Sequence, residues 1–293
     1  MATASQERKP ADATSAATLH DGMVAANVAQ HDRLSGPTGD AWAGCAGNFQ
    51  ADPRRPMDTL LTKIASYVRK DDTLIDVGGG AGRLSLPLAL HCSEAVIVDP
   101  SPSMAEAFRA TVEQSGLTNA RFVQAGWLDA EGIEGDMALV AHVTYFVPEI
   151  VPFIEKLQAS IRCRVVVCVR SVPPPNQIAG AFALAHGEEL ARVPGHNELM
   201  AVLDEMDLPA ELVDLGPAAA SATAVPAKTR QDAIRIEIEW GRRAAWLGRA
   251  DPDRLADQLA QHFDELFAET SDGYVRRCAL NARDLLITWN TAA

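Results

Sequence analysis

Five short apolar runs, separated by stretches of helical character, constrain this chain more than any other feature. They are TLIDV (73–77), AVIVD (95–99), RFVQA (121–125), MALVAHV (137–143) and RVVVCV (164–169). Together they lack the strict apolar–polar alternation of a strand with one wet face, as expected when both faces of a sheet are covered. The segments between them, 82–91, 103–115 and 148–160, read as helices, and Pro56–Lys70 leads in with Leu60, Leu61, Ile64, Ala65 and Val68 at helical spacing. Strands and helices in this succession predict an α/β fold built on a parallel sheet.

The rest of the chain is less regular. The prolines and Asn of PPPNQ (173–177) break the pattern before helices predicted at 179–190 and 196–206 and a strand at 210–216. An Ala- and Pro-rich loop (217–228) leads to two long predicted helices, 229–247 and 251–269, the second opened by Asp251 as N-cap before Pro252. LLITWN (285–290) is the last predicted strand. The expected organisation is a flexible tail at 1–20, a helical cap at 21–70, a core at 71–216, and a helical insertion with the last strand at 217–293.

The sharpest local signal is DVGGGAGRLSLPLA (76–89), which falls between a strand and a helix. Glycines in such a turn let a ligand approach the backbone, because no Cβ stands in the way. A dinucleotide fingerprint started at Gly78 meets Gly80 but then finds Arg83 where its third small residue belongs. A Gly-x-Gly-x-Gly pattern (Gly78, Gly80, Gly82) preceded by Asp76 is met in full, and a carboxylate there can hold a cationic amino group. Asp99 ends the second strand, 23 positions after Asp76, where a carboxylate can accept both hydroxyls of a ribose.

Across roughly residues 40–216 this run of motifs resembles the class I S-adenosylmethionine (SAM)-dependent methyltransferases. The resemblance implies a Rossmann-like, seven-stranded, mostly parallel sheet of order 3-2-1-4-5-7-6, its seventh strand antiparallel. It implies SAM as cofactor and S-adenosylhomocysteine (SAH) as product. Asp76, Gly78 and Gly80 would line the methionine side and Asp99 the ribose, with Pro100, Ser101 and Met104 under ribose and adenine. Many members carry an acidic residue after strand 3; this chain has Ala125-Gly126-Trp127. Gly126 could supply backbone contacts to the adenine, and Trp127 could stack on it or simply pack in the core.

The segment after strand 4, AHVTYFVPEI, brings His142, Thr144 and Tyr145 toward the methyl donor in this fold, and His142 also toward the cofactor itself. His142 is a candidate general base, because histidine titrates near neutrality; hydrogen bonding to cofactor or backbone is its other reading. Tyr145 could orient the substrate. The Asn/Asp-Pro-Pro-aromatic motif of enzymes that methylate base or glutamine amino groups is absent here. His186 and His196, with Glu188, Glu189 and Glu198, match no zinc signature and read as a solvated charged region. No metal is expected. Trp42 and Phe49 are candidates for a lid, and Arg54 and Arg55 for an acidic substrate or solvent.

Net charge argues in the same direction. With 26 Lys plus Arg against 39 Asp plus Glu, the chain carries −13, which disfavours nucleic acid and anionic membrane surfaces as partners. Five cysteines at scattered positions, no CxxC pair, and no apolar run resembling a signal peptide or a membrane span suggest a reducing, cytoplasmic setting. The expected activity is therefore O- or N-methylation of a small molecule. Two alternatives are a non-catalytic SAM-binding module and a nicotinamide-dependent oxidoreductase. Trp240 and Trp246 in the late helices suit either core packing or contact between two copies, so a homodimer is open.

Overall fold

The structure, a computed structural model, describes residues 14–36, 39–40, 42–218 and 226–291. Strands β1 (Thr73–Val77), β2 (Glu94–Val98), β3 (Ala120–Val123), β4 (Gly135–Ala141), β5 (Ile161–Arg170), β6 (Glu211–Pro217) and β9 (Arg283–Asn290) form one sheet of order β3-β2-β1-β4-β5-β9-β6. β9 runs antiparallel to both neighbours, pairing Val167 with Ile287 and Leu212 with Ile287, while β1 to β5 pair in parallel. Counted along the chain, β9 is the seventh strand of this sheet, so the order implied by the resemblance holds.

The lack of alternation in the strands is explained by two cores, one on each face. Ile75, Val77, Val140 and Val167 point into a cluster with Phe153 and Leu157 of α5 (Ile150–Ser160) and Leu199 and Val202 of α7 (His196–Glu205). Leu74, Ile97, Leu139 and Val166 point the other way, onto Leu61 of α2 (Thr59–Ala65), Leu86 of α3 (Ser85–Ala89) and Phe108 of α4 (Pro102–Ser115). Over the central strands neither face is left to water, so neither needs a polar residue at every second position, whereas the edge strand β6 is largely exposed.

Three expectations are corrected. The flexible tail expected to reach residue 20 is helical from Ala16, within α1 (Ala16–Ser35), which Ser15 caps by accepting from the Thr18 N–H; the remainder of that expectation, residues 1–13, lies outside the described residues. Sequence reading missed α1's start because the anchors are distant: the Ala16 N–H donates to Glu205, and Asn27 and Gln30 donate to the carbonyls of Ala191 and Glu189. The helix predicted at 251–269 stops early, giving α9 (Pro252–Gln261) and α10 (Phe263–Leu266), after which the chain turns into a hairpin, β7 (Phe267–Thr270) with β8 (Gly273–Arg276). The apolar spacing of 263–267 fits either state; the pairing of Phe267 with Arg276 in the hairpin settles it. Helix α6 (Ala179–His186) ends at Gly187, in the left-handed conformation, four residues before its predicted end.

A third core joins the appended helices to α6. Phe182 of α6, Ala233 of α8 (Arg230–Arg243), Leu255 and Leu259 of α9, Phe263 and Trp246 bury one another. Trp246 thus serves packing within the chain.

Candidate functional site

The C-terminal ends of β1, β2, β4 and β5 emerge on one edge of the sheet, where doubly wound folds bind ligands. After β1 the chain turns over its own carboxylate. Gly78 sits at φ 68°, and a Cβ there would come within 2.4 Å of Val143 Cγ2, so the turn can pack against the β4 loop only as glycine. At Gly79 a Cβ would lie 2.3 Å from Asp76 Oδ2. The turn therefore closes directly on Asp76.

Asp76 is fully buried, and its Oδ1 has no hydrogen-bond partner among the described residues. Burial pushes its pKa up to about 7; the nearby Ser85 hydroxyl pulls it down and the charge of Asp99 adds to the rise. An orphaned carboxylate oxygen under a glycine turn fits a cationic donor presented from the strand ends, which would restore the charged form.

Asp99 ties the two turns together. Its Oδ2 accepts from the Gly80 N–H at 3.0 Å and its Oδ1 from the Ser101 N–H at 2.9 Å, and burial raises its pKa against these two bonds. Each oxygen keeps a further lone pair, so the carboxylate is held rigidly and can still accept from a diol. Ser101 Oγ caps α4 by accepting from the Met104 N–H, and Met104 Sδ lies 3.3 Å from where a Cβ on Gly80 would stand.

Asp40 is a site residue that the sequence reading missed. Its carboxylate accepts from the Ser101 hydroxyl, the Ser103 hydroxyl at 2.5 Å and the Ser103 N–H at 3.0 Å. These bonds outweigh desolvation and hold its pKa down to about 2. Asp40 lies 61 positions from Ser101 in sequence, and no spacing rule joins the two. Beside it, Ala46 and Phe49 pack with Ala81 and Met104, and Trp42 meets Phe49 edge-on at 5.5 Å. The segment thus lies against the glycine turn, where a lid was expected. Arg54 and Arg55 instead donate to the carbonyls of Ser115 and Arg83, so they bind the fold together.

After β4, His142 adopts φ 61°, a left-handed conformation costing a non-glycine residue roughly 1–3 kcal/mol. Its N–H donates to the Cys168 carbonyl, and its Nδ1 lies 3.4 Å from the Tyr145 hydroxyl. Burial lowers its pKa to about 3, helped by the positive charges of Arg170 and Arg83. The ring is therefore neutral at physiological pH and a poor proton acceptor, which counts against the general-base reading. Tyr145 is buried, its hydroxyl accepting from the Arg170 N–H at 2.7 Å; Thr144 is buried too. Tyr145 packs into the core on one face of the sheet, beneath His142.

Trp127 lies in the core. Its indole N–H donates to the Phe153 carbonyl and the Lys156 ammonium sits 5.0 Å from its ring centroid, so the ring packs within the fold. The Gly126 carbonyl accepts from the Asp129 and Ala130 N–H groups. The charged region around His186 is structural: His186 Nε2 meets the Trp246 carbonyl, Glu188 pairs with Arg33, and Glu198 accepts from the Gly195 N–H.

Comparison with known proteins agrees with this geometry. Residues 74–162 match a family described as a methyltransferase domain. Among solved structures, the YcgJ protein of Bacillus subtilis aligns with TM-score 0.53 and 14% identity, covering 80% of this chain and 98% of its own. A candidate methyltransferase from Bacillus halodurans C-125 gives 0.54 and 12%, covering 80% and 99%. YjhP of E. coli gives 0.52 and 12%, covering 86% and 100%. At these identities the structures establish the fold alone. A search of curated protein sequences finds no match.

Proposed function

We propose that this chain, a SAM-dependent methyltransferase of class I fold, methylates a small-molecule acceptor at oxygen or nitrogen. The observation that carries the reading is the buried Asp76 carboxylate under the glycine turn, whose Oδ1 has no partner among the described residues, one strand away from Asp99. In this reading Asp76 receives the amino group of the methionine moiety and Asp99 the ribose hydroxyls. Gly78 and Gly80 give the moiety access to the backbone, Pro100, Ser101 and Met104 lie under ribose and adenine, and Gly126 borders the adenine.

SAM supplies an electrophilic methyl group on a sulfonium sulfur. When bound, it would let a C–O or C–N bond form as the C–S bond breaks, the acceptor's proton passing to solvent and the sulfonium leaving as a neutral thioether. The protein's contribution is orientation and exclusion of water, which can supply much of the acceleration for an in-line displacement. His142, neutral and held against Tyr145, is a positioning group here: its strained backbone turns the β4 loop onto the glycine turn. A small acceptor is supported by the charge of −13 and by the strand-4 segment, which lacks the motif of base-methylating enzymes.

Calorimetric titration with SAM, SAH and NAD tests the reading. SAM and SAH should bind and NAD should not; failure of both sulfur nucleotides to bind would end it. A screen with methyl-labelled SAM and small acceptors then separates an enzyme from a binding module.

A further inference from the structure

A cavity of about 580 Å³ opens between the end of β5 and the appended helices, lined in part by Ser171, Gln177, Arg192, Glu237, Arg276 and Cys278. Ser171 directly follows β5, which stands two strands from β1 (Val77, Val140 and Val167 are in register), a lateral spacing of about 10 Å, with Ser171 four residues beyond that row. The cavity therefore opens at the same edge of the sheet as the glycine turn, toward which its contents would have to reach.

Its wall holds an incomplete ion pair. Arg276 Nε donates to Glu237 Oε2 at 2.7 Å, with both side chains largely buried. Glu237 is 3% exposed, and its Oε1 has no hydrogen-bond partner among the described residues. The Nη groups of Arg276 likewise make no hydrogen bond among the described residues. A buried carboxylate oxygen without a donor is costly, and the Arg276 guanidinium keeps N–H groups free to donate to a ligand. Arg192, exposed at the rim, adds a further positive charge, so the lining (Arg192, Arg276 and Arg277 against Glu237 and Glu265) is net cationic in a strongly anionic protein.

We propose that this cavity receives the methyl acceptor, and that the acceptor is a small carboxylate bearing an O–H or N–H donor. Its carboxylate would pair with the Arg276 Nη groups, as planar bidentate recognition favours, and its donor would meet Glu237 Oε1. The inference rests on the methyltransferase reading above and specifies its substrate class.

The test uses the full chain saturated with SAH. A panel of aromatic and aliphatic hydroxy- and aminocarboxylates, each beside its methyl ester and its O- or N-methylated counterpart, is titrated by calorimetry and ligand-observed NMR. Acids should bind at least about tenfold more tightly than either counterpart, the size expected for one lost charge-assisted hydrogen bond. Replacing both members of the pair, Glu237→Leu with Arg276→Met, leaves no lone buried charge and should abolish acid binding while SAH affinity stays within about twofold. Should that variant fold poorly, Arg192→Ala at the exposed rim should still weaken the acids and spare the esters. Acids that bind no better than their esters, or that bind the double variant undiminished, overturn the proposal. So does an acid that binds but takes no labelled methyl group from SAM. If SAH itself fails to bind, the methyltransferase reading falls; if SAH binds and the acids do not, only the acceptor class does.

Discussion

The glycine turn and the helical appendage flank the same strand ends, yet they are assembled in opposite ways. The turn draws Asp76, Gly78, Gly80, Asp99 and Ser101 from one continuous β1–α3–β2 unit, and backbone N–H groups hold its charges. The cavity beside the appendage draws Gln177, Glu237 and Arg276 from three separated segments, which the third core packs together. A local cradle can be read from spacing; a wall made by folding distant segments together cannot. The difference also predicts that the two regions answer to different insults.

The largest expected effect lies in the appendage. Trp246→Ala removes a fully buried side chain from the third core and should cost about 3–5 kcal/mol in denaturant unfolding. SAM affinity of the remaining native protein should change less than about twofold, by the independence of distant sites. Parallel loss of SAM binding would show that the two regions are one unit.

Asp76→Asn acts on the cradle and depends on pH. In the ligand-free protein this carboxyl titrates near 7 rather than near 3.8, so its contribution to stability is present in acid and lost as pH rises from about 4 through 7. At pH 8 the variant should gain on the order of 3–4 kcal/mol at most in the absence of ligand, from a shift of about three units. The same variant should bind SAM about 10- to 100-fold more weakly, having lost a charged acceptor. For the unmodified protein, SAM affinity should rise with pH up to about 7, as less of Asp76 remains to be deprotonated on binding. A flat calorimetric profile from pH 5 to pH 8 would remove Asp76 from the amino-group site.

Gly78→Ala tests the turn without touching a charge. A Cβ at φ 68° costs roughly 1–2 kcal/mol of strain, and contact with Val143 adds to it. SAM binding should weaken by about tenfold or more, in contrast to Trp246→Ala. Equal SAM affinity in wild type and variant would mean that the turn tolerates a side chain and is not the cradle.

The smallest effect is at Asp40. Asp40→Asn removes the charge at the α4 N-terminus and should cost about 0.3–1 kcal/mol. Because the pKa of Asp40 is lowered to about 2, its contribution is present above about 4 and fades as pH falls through 2, so wild type and variant should converge in strong acid. A stability difference that persists at pH 2 would assign the effect to shape instead of charge.

How much of this was legible follows the same division. Asp76, Gly78, Gly80 and Asp99 lie within one supersecondary unit, where chain direction and turn length set their separation, and the sequence located them. Trp127 is ambiguous in sequence because an indole after β3 can stack on a ligand or fill a core; its core packing comes from the Phe153 carbonyl and Lys156, which no spacing announces. Two readings of His142, base or hydrogen-bonding group, are open in sequence, and the burial and the charges of Arg170 and Arg83 that weigh on them come from the fold. Asp40, Glu237 and the β7–β8 hairpin carried no local signature.

The sequence by itself determined the parallel sheet, its glycine turn and the carboxylates that end its strands, because these depend on backbone periodicity and on neighbours within about thirty residues. Tertiary structure alone decided the protonation of Asp76 and His142, the latch at Asp40, and the union of Glu237 with Arg276. Burial, dielectric environment and ion pairing are properties of what surrounds a group, and here those surroundings come from parts of the chain far away in sequence.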